Sequence, residues 1–228
     1  IRLPSPLMLD LVKILHRNKS MRLNHIHVTK CFQGLRCFKD DSEHRAVIKS
    51  YLMYLVEVME SLTSNIVFDA QSVGQCIYAL QFLSSKQQGI SSLLKALQTK
   101  ILESKEMFDA QAISNSLYGL QGMSSKDVEV CGLLSLLSRK ISKSPGVLNA
   151  EDMGKTLYGL QGMRSTEGEV RSLLSALSVK IIESQDIVNG QAISNALYGL
   201  QGMSSDAAEV RDLLSALSKK LVESREQM

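Results

Sequence analysis

Four tyrosines, Tyr78, Tyr118, Tyr158 and Tyr198, stand 40 residues apart, and three residues before each comes Gln75, Asn115, Lys155 or Asn195. Gln71, Gln111, Glu151 and Gln191 lie one helical turn earlier, with Gly74, Ser114, Gly154 and Ser194 between the two rows. On a helix turning about 100° per residue, with Ile193, Leu197 and Leu200 inward, these residues fall on the opposite side. A face meant only for water would carry the Glu and Lys that helix propensity and solubility favour. This one is rich in amides and phenols, with Glu151 and Lys155 its charged members. Aromatic rings stack on unpaired bases and Asn or Gln bonds their edges, so the expected chemistry is contact with single-stranded RNA, roughly one base per unit. The candidate contacts are Gln75, Asn115, Lys155, Asn195, the four tyrosines, Gln71, Gln111, Gln191, Ser114 and Ser194, with the 75/115/155/195 row as the readout position. Two other readings stay open. A tyrosine at fixed register also serves as a packing residue wedged against its neighbour, and amides also form ladders between units.

Basic side chains gather at the other expected contact. Residues 1–39 hold eight Lys or Arg against the single acid Asp10, whereas residues 68–228 come to about neutral. Because phosphate neutralisation usually dominates nucleic-acid affinity, Lys13, Arg17, Lys19 and Arg22 are the candidate phosphate contacts. Other chemistries find little to work with. No Gly-rich phosphate loop and no nucleophile elbow occur, and no histidine follows His44, so the chain is not read as an enzyme. His25, His27 and His44 lie near Cys31 and Cys37, but the spacing fits no zinc pattern, and neither metal nor cofactor is expected. Cys31, Cys37, Cys76 and Cys131 form no CxxC pair, which points to an intracellular, reducing compartment. Cys31 and Cys76 share a register with Ser116, Thr156 and Ala196, a position that wants a small side chain.

The elements that must position these residues come in copies. Phe68-Asp69-Ala70-Gln71, Phe108-Asp109-Ala110-Gln111, Leu148-Asn149-Ala150-Glu151 and Val188-Asn189-Gly190-Gln191 open four segments at a 40-residue period, and Leu-Tyr-Gly-Leu-Gln-Gly-Met recurs from Leu117, Leu157 and Leu197. Ile193, Leu197, Leu200 and Met203 form one helical stripe, and Val210, Leu213, Leu214, Leu217 and Leu221 another, so each copy reads as a helical hairpin. Asp69, Asp109, Asn149 and Asn189 sit at N-cap positions. The apolar pairs Phe68/Val73, Phe108/Ile113, Leu148/Met153 and Val188/Ile193 read as hydrophobic staples. Serine turns follow, Thr166 with Glu169 or Asp206 with Glu209 is expected to form a capping box, and Lys100, Lys140, Lys180 and Lys220 close the second helices at the negative end of the dipole. A degenerate copy begins at Leu23-Asn24.

The expectation is an all-α protein: a right-handed α-solenoid of about five hairpins, with a basic N-terminal helical stretch over 1–22 and units at 23–67, 68–107, 108–147, 148–187 and 188–228. The 44% hydrophobic and 21% charged composition suits a core-forming chain, and no apolar run reaches the ~18 residues that cross a bilayer. Neither a membrane nor a small-molecule substrate is expected as partner. A start at Ile1 reads as a piece of something longer.

The run Ile193-Ser194-Asn195-Ala196-Leu197-Tyr198-Gly199-Leu200-Gln201-Gly202-Met203, with its copies from Ile113 and Met153, resembles the ANxLWALAKL signature of octotricopeptide and heptatricopeptide repeats and of the helical repeats in FAST-kinase-like and RAP-domain proteins. Tyrosine stands where those families have tryptophan, and glycine replaces alanine at 119, 159 and 199. The resemblance implies an α-solenoid that binds RNA in mitochondria or chloroplasts, in processing, stability or translation. The alternative is a protein-interaction scaffold that holds a peptide or partner protein in the same groove.

Overall fold

Each first helix starts where a short acceptor side chain can close its open end. Asp69 accepts from the Ser72 amide at 2.6 Å, Asp109 from Ala112 at 2.7 Å, Asn149 from Asp152 at 2.7 Å and Asn189 from Ala192 at 2.8 Å. Upstream, Asn24 does the same for His27, whose Nδ1 in turn accepts from the Asn24 amide. The residues ahead of the four later caps, Phe68, Phe108, Leu148 and Val188, are all buried, as the staple pattern requires.

The computed structural model describes residues 23–37, 45–62 and 66–226. Within them the protein is all-helical: ten α-helices, a 3-10 turn at Gly34–Cys37 and no strand. The helices are α1 His25–Gln33, α2 Arg45–Ser61, α3 Ala70–Tyr78, α4 Ile90–Glu103, α5 Ala110–Tyr118, α6 Val128–Lys143, α7 Ala150–Tyr158, α8 Gly168–Glu183, α9 Gly190–Gly199 and α10 Ala208–Glu226. The short helices α1, α3, α5, α7 and α9 pack each on the next, and the long helices α2, α4, α6, α8 and α10 do likewise, making two layers. One continuous core lies between them, from Val28 and Phe32 to Leu213 and Leu217. The stretch 1–22, expected to be helical and basic, lies outside the described residues.

The first helices are shorter than the apolar stripe suggests. They stop at Tyr78, Tyr118, Tyr158 and Gly199, and residues 200–203 form a turn in which Met203 N–H donates to Leu200 C=O at 3.0 Å. Leu120, Met123, Leu160 and Met163 remain buried in the corresponding turns, so the apolar period outlives the helix. Neighbours complete the burial. Leu117 and Leu157 are covered by the next first helix, whereas Leu197, with no such helix after it among the described residues, is 54% exposed.

Backbone contact between successive short helices is unusually close. A Cβ on Gly119 would stand 2.1 Å from Ile77 C=O, one on Gly159 2.0 Å from Leu117 C=O, and one on Gly199 1.8 Å from Leu157 C=O. Gly119 and Gly159 have ordinary right-handed helical backbone, as does Ala79 in the equivalent place. The requirement for glycine there is therefore one of space between helices, not of backbone conformation.

Polar side chains tie the long helices together in a way the sequence reading assigned differently. Lys180 Nζ donates to Ser144 C=O at 2.7 Å, and Lys140 and Lys220 donate likewise to Ser104 C=O and Ser184 C=O. Ser104, Ser144 and Ser184 are C-caps of the preceding long helix, so each lysine satisfies its neighbour's open end as well as facing its own dipole. Ser184 Oγ donates to Leu148 C=O at 2.6 Å, Ser144 Oγ bonds Phe108 C=O, and the Arg164 and Ser204 amides each donate to a turn serine 39 residues back at 2.9 Å. The capping box expected at Thr166 and Glu169 is not formed. Glu167 is the N-cap of α8 and makes no side-chain cap bond, and Arg171 donates to the turn carbonyls of Ser165 and Thr166, both at 2.9 Å.

Candidate functional site

A helix in a row has neighbours on both flanks as well as the layer beneath, which leaves only a narrow outer strip. On α3, α5, α7 and α9 that strip holds 71/75/78, 111/115/118, 151/155/158 and 191/195/198. Gln71, Gln111, Glu151 and Gln191 are exposed, and Gln75, Asn115, Lys155 and Asn195 are half-buried. Tyr78, Tyr118 and Tyr158 are half-buried and Tyr198 is 48% exposed.

The tyrosines lie on one another. Ring centroids are 5.7 Å apart for Tyr78–Tyr118 and for Tyr118–Tyr158, and 5.3 Å for Tyr158–Tyr198, with planes inclined by 24°, 24° and 18°. Arg36 covers the free face of Tyr78, its guanidinium carbon 5.1 Å from the centroid. The glycine after each of the last three tyrosines permits this spacing, since the would-be Cβ of Gly119 falls 2.8 Å from the Tyr78 Cα and that of Gly159 2.8 Å from the Tyr118 Cα, one unit back. A base slipped between two rings needs two stacking gaps of ~3.4 Å each, about 7 Å, and the spacing leaves no room for it. Inside the row the ring faces are thus spent on packing, and what looks outward is ring edge and hydroxyl. Of the two end rings, Tyr78 has Arg36 over it, whereas the outer face of Tyr198 has neither a ring nor a cation over it among the described residues.

Beside this spine the amides differ from unit to unit. Gln75 Oε1 accepts from Gln33 Nε2 at 3.2 Å, and Gln191 Nε2 donates to Asn195 Oδ1 at 3.0 Å. Gln111 and Asn115 make no side-chain hydrogen bond among the described residues. In the α7 unit Lys155 bonds Glu151, which holds the Glu151 carboxyl below and the Lys155 amine above its usual range. The pair is self-neutralising, so the strip carries no net charge.

Ser114 and Ser194, alike in sequence, are not alike in place. Ser114 is 2% exposed and its hydroxyl bonds the Asp152 carboxylate of α7, whose pKa burial raises against that bond. Ser194 is exposed and donates to Gly190 C=O at 2.8 Å. The helical wheel put both on the outer side because it registers distance from the second layer and not the next helix in the row. Lys13, Arg17, Lys19 and Arg22 lie outside the described residues.

The histidines and cysteines serve locally. His27 belongs to the α1 cap and His25 lies 3.7 Å from Asp69, while His44 is outside the described residues. Cys76, Ser116, Thr156 and Ala196 are all buried at one register, where the reading wanted a small side chain. Burial pushes the Cys76 thiol up to about 12. One grouping was not read from the sequence: Cys131, Glu167 and Glu169, far apart in the chain, bring ligand-type atoms within 4.8 Å of one another. Cys131 Sγ donates to Ser125 C=O at 3.1 Å, and burial together with the two glutamates raises its pKa.

No family model, curated protein or solved structure matches the chain.

Proposed function

We propose that the chain is an α-solenoid of helical hairpins at a 40-residue period and that the outer strip of its first helices binds single-stranded RNA. The observation that carries the reading is the strip itself: all four units present a phenol and three of them two amides at matching register, with Glu151 and Lys155 neutralising each other in the α7 unit, on the side of the first helices left free by their neighbours. Carboxamides pair a donor with an acceptor, which suits base edges, and half-buried side chains lose little freedom when they bind. The closed tyrosine spine modifies the mechanism. Bases lie against ring edges and hydroxyls rather than between rings, and Gln75, Asn115, Lys155 and Asn195 meet successive bases. The likeness to octotricopeptide-type repeats supports the same reading and adds an organellar setting.

The test is Asn115→Ala with Asn195→Ala. At about 1 kcal/mol for each lost hydrogen bond, the double variant loses about 2 kcal/mol, roughly 30-fold in affinity. Fluorescence anisotropy with a labelled single-stranded RNA pool at fixed salt measures it, with far-UV circular dichroism checking that helicity is unchanged. Equal binding by parent and variant refutes the reading. Binding that is flat across a salt series would instead favour a peptide in the strip.

A further inference from the structure

The α9–α10 unit shows a side that the earlier units keep covered. Leu197, Tyr198 and Leu221 are 54%, 48% and 41% exposed, and Ile193, Met203 and Leu214 are half-buried. Their apolar counterparts in the α5–α6 unit, Ile113, Leu117, Met123, Leu134 and Ile141, are no more than 1% exposed, because α7 and α8 lie on them. An end unit left bare is normally polar on its outer side. This side is apolar, the mark of a surface that something covers.

What covers it is indicated by the interface already inside the stack. Residues 111–125 and 191–205 differ only at Ser116 and Ala196, so the two short-helix faces are nearly the same surface. On the α5 unit three sites receive the α7 unit: Leu117 C=O meets the Gly159 backbone, the Ser114 hydroxyl bonds the Asp152 carboxylate, and Ser125 Oγ accepts from the Arg164 amide at 2.9 Å. On the α9 unit the matching Leu197, Ser194 and Ser205 are exposed, with no further unit over them among the described residues.

Two features place the occupant on another molecule. The helices α4, α6 and α8 stop at Glu103, Lys143 and Glu183, after which the chain turns toward the next short helix, whereas α10 is still helical at Glu226, past the matching Glu223. A second copy stacked head to tail does not fit either. Gly34 caps α1 as Gly159 caps α7, but a Cβ on Gly34 would meet Tyr51 Oη at 2.7 Å, so Tyr51 fills the approach that Leu197 C=O would need.

We propose that the α9–α10 face docks a helical hairpin of this same repeat type carried by another protein. The occupant has glycine where Gly159 stands, an apolar stripe against Leu197 and Leu221, and a carboxylate at the register of Asp152 that reaches Ser194. Burial of the stripe supplies affinity. The glycine contact supplies selectivity, since a Cβ on Gly159 would stand 2.0 Å from Leu117 C=O in the equivalent interface. The inference takes the stacking of hairpins from the reading above and does not depend on RNA.

A synthetic peptide of residues 148–187 is the probe, titrated into the ¹⁵N-labelled full chain. It is also joined after Met228 by a flexible Gly/Ser linker, which raises its effective concentration to ~mM and lets it fold on docking. Amide shifts are expected at 193–203 and along α10 in at least one of the two forms, saturable in the titration. Leu197→Glu should weaken docking by about 10- to 100-fold, the loss of one leucine's burial, and Gly159→Ala in the probe alone should weaken it as well. Leu102→Glu, at an exposed site on α4, is the control and should leave docking unchanged. Unchanged thermal melts without probe verify that both chain variants fold. No shift in either form, or shifts that survive Leu197→Glu, overturns the proposal. So does sedimentation showing that the parent alone dimerises through Leu197, which gives the face to a second copy. The RNA reading is decided separately at Asn115 and Asn195, so neither result stands in for the other.

Discussion

Adding one methyl group at Gly159 should destabilise the protein, although alanine is the better helix former. Gly159 has φ −62° and ψ −14°, a conformation any residue adopts, and Ala79 occupies the equivalent position with φ −64° and ψ −17°. What forbids the methyl is its environment: the new Cβ would stand 2.0 Å from Leu117 C=O and 2.8 Å from the Tyr118 Cα. Backbone cannot rotate aside as a side chain can, so α7 must retreat from α5 by roughly 1 Å. Overpacking of this kind costs about 1–3 kcal/mol, and loosening the Tyr118–Tyr158 stack adds part of the ~0.5–1.5 kcal/mol that an aromatic pair contributes. Helix propensity returns at most ~1 kcal/mol. The net is about 2 kcal/mol, or roughly 4–8 °C in melting temperature for a chain of this size if it unfolds cooperatively. Gly190→Ala provides the control, because a Cβ there meets nothing within 4 Å and the position is alanine in the three preceding copies. That substitution should stabilise by about 0.5–1 kcal/mol. Thermal melts by far-UV circular dichroism, with the near-UV tyrosine signal reporting the ring stack, measure both. A Gly159→Ala protein that melts at or above the parent, as Gly190→Ala should, would refute the claim that the glycines are there for helix-to-helix spacing.

Lys180→Met removes the donor to Ser144 C=O while keeping the apolar stem, and an orphaned carbonyl at a helix end that lost a charged partner costs about 2 kcal/mol; urea titration should show a lower midpoint, and an unchanged one would return the lysine to a purely dipolar role. Asp152→Asn should stabilise the protein near neutral pH, since burial raises the Asp152 pKa and thereby disfavours its charged form in the folded state. The sign follows from linkage: a carboxyl with a raised folded pKa binds its proton more tightly when folded, so the parent regains stability as pH falls through that pKa. The advantage of the Asn variant should therefore shrink between pH ~7 and ~4 in melting experiments, and an advantage that stays constant or grows would contradict the assignment.

The start of each first helix was legible in the chain because the cap is a local device. Asp69, Asp109, Asn149 and Asn189 bond amides three residues away, and the apolar residue before each is buried whatever the neighbouring unit does. Helix ends were less legible. Leu200 and Met203 continue the apolar period beyond the last helical turn, since a tight turn can point them at the same core, and hydrophobic spacing does not distinguish the two. The lysines show a third situation. Lys140, Lys180 and Lys220 stand where a cation suits the dipole of their own helix, and Lys180 and Lys220 pair with Glu183 and Glu223 three residues on, yet all three also donate to carbonyls 36 residues back. No local pattern carries that information; it belongs to the stacking of one long helix on the next.

The candidate strip divides along the same line. Gln71, Gln111 and Gln191 were placed correctly outside because they lie farthest from both flanks, whereas Ser114 was read outward and is covered by α7. For the tyrosines the chain left contact and packing as alternatives, and the geometry makes them compatible. Faces stack on faces at 5.3–5.7 Å while edges remain open, and glycine contacts beside each ring hold that spacing. Each side chain of the proposed readout row, Gln75, Asn115, Lys155 and Asn195, sits three residues before a ring in the same helix, so whatever fixes ring to ring also fixes the spacing of that row. A spine closed to intercalation is in this sense more useful to a reading surface than an open one. Rings that parted to admit bases would let the pitch of the amides vary with occupancy, and the ordering cost would fall on each binding event rather than on folding.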